Sequence, residues 1–310
     1  MKHLVVALVV FVAALVASGT AAGQPVRVPG TRVSLEPPDG FSPAKQFPGF
    51  ENVALRAALM VTELPGPAAE MRRGMTKSAL ASRGMTLVSS SSVAVGGSQG
   101  SLLYVRQSTP AGEVSKWMLI TGDQTTTMIV GSFPTTAERE LSDTIRRSLL
   151  SVTVTVESAP DAFEGLTFRV TPTRRLRIAG RMSSMLVLSE SGTLSPADPD
   201  VGFYIVGHSM GAAKIEGLQS FSEARARQTT HTTDIRNITG RSITLDALPA
   251  YELQADATDP GSGRVMKMYQ VIGVDDDGYV IIQGFVSARR SAEVLPEFKK
   301  VTATFQRSPR

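Results

Sequence analysis

The chain of 310 residues has no cysteine. That excludes disulfides, thiolate nucleophiles, thiolate metal sites and a lipid anchor on an N-terminal cysteine in one step, and leaves stability to packing. Histidine is nearly as scarce, with three in all. Beyond the N-terminus only His208 and His231 remain as imidazole bases. Neither sign of charge is in large excess, with 32 Lys and Arg against 28 Asp and Glu. The basic residues are scattered, so no nucleic-acid partner is expected. Long apolar runs are missing as well, with one exception at the start.

That exception is Leu4–Val16, 13 apolar residues preceded by Lys2 and followed by small residues through Ala22. This is the three-part pattern of a secretory signal peptide. It is short for a membrane helix, which needs about 20 apolar residues. We read residues 1–22 as a cleaved signal peptide, the competing reading being an uncleaved N-terminal anchor. The expectation is a secreted or periplasmic chain with no integral membrane segment after cleavage. Removing Lys2 leaves 31 basic residues against 28 acidic ones, a net charge of +3. About 288 residues remain, which at roughly 150 per domain implies two domains.

What is present is a repeat. A shift of 152 lays Thr127–Phe133 on Tyr279–Phe285, Asp123 on Asp275 and Trp117 on Tyr269. A shift of 145 lays Leu59-Met60-Val61 on Tyr204-Ile205-Val206. In the first copy a core strand over 54–61 precedes a helix over 68–83, where Met71, Met75 and Ala79 share a stripe and Gly84 is placed as a C-cap. Hairpin-linked strands follow at 86–90, 92–95 (the two readable as one kinked strand), 101–107, 116–122 and 126–133. A closing helix over 134–150 presents Leu141, Ile145 and Leu149 at four-residue spacing. Ser158-Ala159-Pro160-Asp161 reads as a linker. The second copy repeats the order, with strands at 166–170, 186–188 and 201–206, a helix over 212–228, strands at 234–238, 241–245, 250–255, 265–274 and 278–285, and a helix over 291–301. Helices on a mostly antiparallel sheet make an α+β fold, here two tandem domains over 23–157 and 158–310.

This order resembles the PsbP-like superfamily. The likeness is carried by Leu35-Glu36-Pro37-Pro38-Asp39-Gly40-Phe41, by the strand 58–62 running into a helix, and by Lys116-Trp117 before the Gly122-Asp123 turn. It extends over each half nearly end to end. The second copy departs where Thr171-Pro172-Thr173-Arg174-Arg175-Leu176 replaces the Pro-Pro-Asp-Gly-Phe turn, which puts its first hairpin in doubt. The resemblance implies a binding or assembly role and supplies no catalytic residues.

One motif points to an enzyme. Gly207-His208-Ser209-Met210-Gly211 matches the G-x-S-x-G nucleophile elbow of esterases and lipases, between an apolar strand and a helix. Four observations weigh against it. The first copy has Thr62-Glu63-Leu64-Pro65-Gly66 there, with Leu64 in the place of Ser209. The bases on offer are His208, its own neighbour, and His231, just past the helix, with no histidine after it. No His-Gly motif for an oxyanion loop comes before the serine. The strands that follow are linked by hairpins, not by crossover helices.

Other candidates have plainer readings. Asp275-Asp276-Asp277-Gly278 lacks the ligand spacing of a calcium loop and reads as a hairpin turn. Gly96–Gly100 lacks the lysine and helix of a phosphate loop. Arg174, Arg175, Arg177 and Arg181 read as a solvated edge strand rather than an anion site. Met60, Met71, Met75 and Met85 read as core filling, and Trp117 and Tyr269 as sheet packing. The sequence thus predicts an exported, non-enzymatic binding or accessory protein of the bacterial envelope. No cofactor, metal or catalytic residue is expected. The partner, a protein or a small ligand, is expected in a groove between the two units, near the polar loop Gly192–Asp200. The rival is a serine hydrolase using Ser209 with His231 or His208, and a third reading is an envelope structural protein.

Overall fold

The computed structural model describes residues 24–308 apart from 111, 156–159, 195–197, 199, 210–213, 231 and 277. The signal peptide read at 1–22, His231, and Ser158 and Ala159 of the expected linker lie outside the described residues.

The first half begins with β1 (Val26–Arg27), β2 (Val33–Leu35), β3 (Ser42–Pro43), β4 (Gly49–Asn52) and β5 (Ala57–Pro65). Two short helices follow, α1 (Ala68–Gly74) and α2 (Lys77–Ala81). Then come β6 (Met85–Val95), β7 (Ser98–Thr109), β8 (Gly112–Thr121), β9 (Thr125–Pro134), α3 (Glu138–Leu150) and β10 (Thr153–Val154). The second half has β11 (Phe168–Arg169), β12 (Arg177–Met182), β13 (Met185–Ser189), β14 (Phe203–His208) and α4 (Leu218–Arg227). It continues with β15 (Thr233–Leu245), β16 (Leu248–Thr258), β17 (Val265–Asp275), β18 (Gly278–Ser287), α5 (Ser291–Ala303) and β19 (Gln306–Arg307).

Each half holds one seven-stranded sheet, ordered β3-β4-β5-β9-β8-β7-β6 and β12-β13-β14-β18-β17-β16-β15. The two orders are the same once the second set is renumbered, which is the duplication seen in three dimensions. The strand pairs are antiparallel, and two small ladders, β1-β2-β10 and β11-β19, close each half on itself. The fold is therefore α+β, two tandem units each with a mostly antiparallel sheet flanked by helices.

Both faces of each sheet are covered, so alternate residues along a strand enter different cores. In the first half Leu59, Leu119, Ile129 and Phe133 meet Leu141, Ile145 and Leu149 of α3. On the other face Leu103, Val105, Met118 and Ile120 meet Ala68 and Leu80 of α1 and α2. Each large side chain fully buried in this way contributes about 1.5–3 kcal/mol. The second half repeats the scheme under α5 and α4.

Three expectations need correction. The helix expected over 68–83 is two helices, because Gly74 ends the first and the Thr76 hydroxyl accepts the Ala79 N–H to cap the second. The helix expected from 212 begins at Leu218, behind an extended Gly217. The repeat also slips by one residue. Trp117 faces Gly131 across β8 and β9, and Tyr269 faces Gly284 across β17 and β18. The shift is thus 152 before the turn and 153 after it, since the second copy has one more residue in its Asp-rich turn. Phe133 corresponds to Val286, not to Phe285. Phe133 lies under α3, whereas Phe285 packs on the α4 face. A one-residue slip exchanges the faces of a strand.

The segments expected at 86–90 and 92–95 form the single strand β6, bulged between Leu87 and Ser89. Those at 234–238 and 241–245 likewise form β15, with two irregularities. The doubted first hairpin of the second copy exists and is the longer of the two, β12 with β13. Thr171–Leu176 leads into it through a turn in which Leu176 N–H donates to the Thr173 hydroxyl at 3.1 Å.

Candidate functional site

The motif serine lies one residue past the end of β14 and still belongs to the ladder with β18. Its N–H donates to the Tyr279 carbonyl at 2.8 Å, and its Oγ accepts the Tyr279 N–H at 3.1 Å. A nucleophile elbow instead turns sharply from strand into helix and lifts the serine clear of the sheet. Here α4 starts only at Leu218. Met210 and Gly211 of the motif lie outside the described residues.

His208 is the last residue of β14. Its Nε2 is 2.9 Å from Asp275 Oδ2, and its Nδ1 is 2.9 Å from the Ser209 carbonyl oxygen. The two side chains are 8% and 5% exposed. Both ring nitrogens thus face acceptors other than the Ser209 hydroxyl. This orients the imidazole and closes the end of the sheet; a base for Ser209 would have to face its Oγ. The first copy fills the same place with another polar contact: Glu63, the counterpart of His208, takes both the backbone N–H and the guanidinium of Arg32. No group of three His, Cys, Asp or Glu able to hold a metal ion occurs among the described residues.

The basic cluster does lie on and before an outer strand, as the sequence predicts, with Arg174 and Arg177 exposed, but three of its arginines are also engaged. Arg175 pairs with Glu190 and Glu293, and Arg177 donates to the Glu190 and Ser191 carbonyls. Arg181 lies at the junction against Gly30 of the first half, and its hydrogen bonds stay within the second half, Nη1 donating to the Glu164 carbonyl at 2.5 Å and Nη2 to Ser183 O at 3.2 Å. Desolvation holds its guanidinium below the usual arginine range, with Glu164 and Asp161 opposing that shift. The Glu164 carboxylate meanwhile pairs with Arg27 of the first half. The Met60 sulfur faces the Ser183 hydroxyl at 3.3 Å, another contact between the halves. Gly30 makes room for the Arg181 guanidinium.

The polar loop Gly192–Asp200 is pinned at its far end, where Asp200 pairs with Arg264 and Arg289. Residues 195–197 and 199 lie outside the described residues. Three open clefts stand out, at Thr135–Asp143, at Arg241, Glu252 and Lys299, and at Phe163, Arg169 and Gln306, each lined within one half.

The remaining candidates pack as structural residues. Tyr269 is buried with its hydroxyl donated to Glu252 at 3.0 Å, and Trp117 stacks on Tyr104 and donates to the Ser142 hydroxyl. Met71, Met75 and Met85 line the core under α1 and α2, while Met60 does not. Gly96-Gly97 sits at a hairpin turn, and Asp275 pairs with Gly278 at the end of the β17–β18 ladder. Sequence reasoning missed the pairing of His208 with Asp275, although the two shifts already laid Glu63 on His208 and Asp123 on Asp275. It also missed the junction contacts of Arg181, for which the sequence carries no local signal.

The architecture is two tandem α+β units, each with one seven-stranded sheet. No helix among the described residues is long and apolar enough to cross a membrane. No protein-family model and no curated protein matches the chain. Among solved structures, the chain is similar to cyanobacterial PsbP (CyanoP) from Synechocystis, at 14% identity over 46% of this chain and 99% of that one, with a TM-score of 0.32. It is similar to LpqN, involved in cell envelope biogenesis of Mycobacterium tuberculosis, at 12% identity over 46% and 83% of the two chains, with a TM-score of 0.33. It is also similar to the T6SS immunity protein TplEi of Pseudomonas aeruginosa, complexed with "L" peptide, at 10% identity over 88% and 100%, with a TM-score of 0.32.

Proposed function

We propose that the chain is an exported, non-enzymatic binding or accessory protein of the bacterial cell envelope, built of two domains over 23–157 and 158–310. The observation that carries this reading is the state of the one catalytic-looking motif. The Ser209 hydroxyl accepts a ladder N–H, and its neighbouring histidine is committed to Asp275 and a backbone carbonyl. The first copy, with Leu64 at the matching place, has the same strand end without a serine. The motif is therefore read as structural.

The partner, a protein or a small ligand, binds against both domains beside the Gly192–Asp200 loop. The contacts of Arg27 with Glu164 and of Met60 with Ser183 across the junction support this reading, because they tie the two domains to each other. So does the anchoring of Asp200 by two arginines, which fixes one end of a loop that is much shorter in the first copy, where β4 ends at Asn52 and β5 starts at Ala57. Affinity purification from native envelope, with the wild type and with a deletion of residues 193–199, tests the placement. The partner is expected to be lost with the loop, and an unchanged partner set argues against it. A fluorophosphonate probe tests the rival. No labelling is expected; labelling that disappears in Ser209→Ala would restore a serine hydrolase, with His231 or His208 as its base.

A further inference from the structure

The two sheets have four outer strands, and three are built so that nothing can pair with them. β3 is two residues long and contains Pro43. β12 bulges between Ile178 and Gly180 and carries Arg177 and Arg181. β15 is broken twice in register, takes positive φ at Asp234 and Asn237, and carries ion pairs from Arg236 and Arg241. Bulges, prolines and charges are the usual means of blocking an edge.

β6 has none of these over its second part. After the bulge at Leu87–Ser89, Ser89–Val95 runs in unbroken register beside β7. The whole strand, Met85–Val95, contains no charged residue, proline or glycine. Ser89, Ser90, Ser91 and Ser92 are all exposed. Gly96 and Gly97 both take positive φ, the signature of a two-residue type I′ turn, which makes Val95 and Ser98 a hydrogen-bonded pair. By alternation, Ser90, Ser92 and Ala94 then direct their N–H and C=O groups away from β7.

We propose that β6 is a self-association edge, and that a second copy of this chain pairs with it antiparallel about a two-fold axis at Ser92. In that register Ser92 faces its own symmetry mate, and Ser90 faces Ala94 on either side. All three outward residues are used, giving about six N–H···O=C bonds. No like charges meet, because the strand has none. The two sheets become one continuous sheet. Since the other outer strands of the two seven-stranded sheets are blocked among the described residues, pairing through β6 closes as a dimer and does not extend through those sheets.

Sedimentation equilibrium on the full chain purified after export, over a wide concentration series, tests this. The wild type is expected to shift from monomer to dimer mass as concentration rises. Ser92→Lys sets two ammonium groups against each other at the axis and should leave only monomer. Ser92→Pro removes an outward N–H and should do the same, with circular dichroism confirming that both variants are folded. Ser242→Lys, on the blocked strand β15, should associate like the wild type. A wild type that stays monomeric throughout overturns the proposal. A dimer that survives Ser92→Lys in folded protein overturns it equally.

Discussion

Gly284 lies directly beneath Phe298: a Cβ added to this glycine would come within 2.6 Å of the ring. The first half has the same relationship between Gly131 of β9 and Ile145 of α3. In both units the closing helix crosses the sheet at a glycine, so the helix can approach the backbone closely. Gly284→Ala and Gly131→Ala should each destabilise their own half by about 1–3 kcal/mol through overpacking. Denaturant unfolding of each variant measures this. If both midpoints stay at the wild-type value, the crossing is looser than described.

These glycines show how much of the fold the sequence carried. The duplication, the fold class and the two closing helices were legible, because Leu141, Ile145 and Leu149 repeat at helical spacing and the hairpin turns are marked by glycine and aspartate. The one-residue slip between the copies was not legible. Both faces of the sheet are buried, so β9 and β18 are apolar on either parity, and aligning Phe133 with Phe285 looks as good as aligning it with Val286. Only the placing of Gly131 and Gly284 under their helices decides the register. The candidate site was half legible: the motif stood out, but whether Ser209 was raised from the sheet or kept in its ladder depends on backbone geometry that no spacing reveals.

The correct register exposes a second difference between the copies. Gln270 stands where the first unit has Met118, and Gln283 where it has Val130. Under α4 the Gln270 amide donates to the Ser222 carbonyl at 2.8 Å, and the Gln283 amide donates to Gln270 Oε1 and to the Thr229 hydroxyl, each at 2.9 Å. Gln270→Met alone removes partners from buried polar groups and should cost about 1–3 kcal/mol. The double variant Gln270→Met, Gln283→Val restores the first copy's apolar pair and should recover part of that loss. A double-mutant cycle in denaturant is the measurement. Strict additivity of the two losses would show that the glutamines do not act as a unit.

The strand end holding His208 and Asp275 is a structural lock, and breaking it has a different cost from breaking its surface counterpart. Asp275→Ala leaves a buried imidazole nitrogen without its hydrogen-bond partner and should destabilise the second half by about 1–3 kcal/mol. Asp123, the matching residue of the first half, is exposed and accepts from the Ser98 hydroxyl at 3.0 Å. Asp123→Ala should therefore change stability by no more than about 0.5 kcal/mol. Thermal unfolding of the two variants side by side makes the comparison, and equal effects would remove the distinction.

The junction between the halves depends on a backbone conformation. Gly30 has φ of +73°, a left-handed value that a side chain resists, and a Cβ there would collide with Arg181 Nη1 and lie 2.5 Å from the Glu164 carbonyl oxygen. Gly30→Ala combines backbone strain of about 1–3 kcal/mol with displacement of the arginine. Faster limited proteolysis between the halves is expected, with little change in the unfolding of the second half's core. Unchanged cleavage would mean that Arg181 does not hold the halves together.

The same junction should respond to pH. The Arg27 hydrogen bond, assisted by the Gly30 N–H, holds the Glu164 carboxyl below the usual carboxylate range, with burial opposing. A carboxylate whose pKa is lower in the folded state contributes stability above its unfolded value, near 4.3, and loses that contribution as pH falls through the folded value. The pair is partly exposed, so the contribution is screened and small. Glu164→Gln removes the charge at every pH. The difference in melting temperature between wild type and Glu164→Gln should be largest near neutrality and shrink toward zero below about pH 4. A difference that persists undiminished in acid would mean that the charge of the Glu164 carboxylate makes no contribution at the junction.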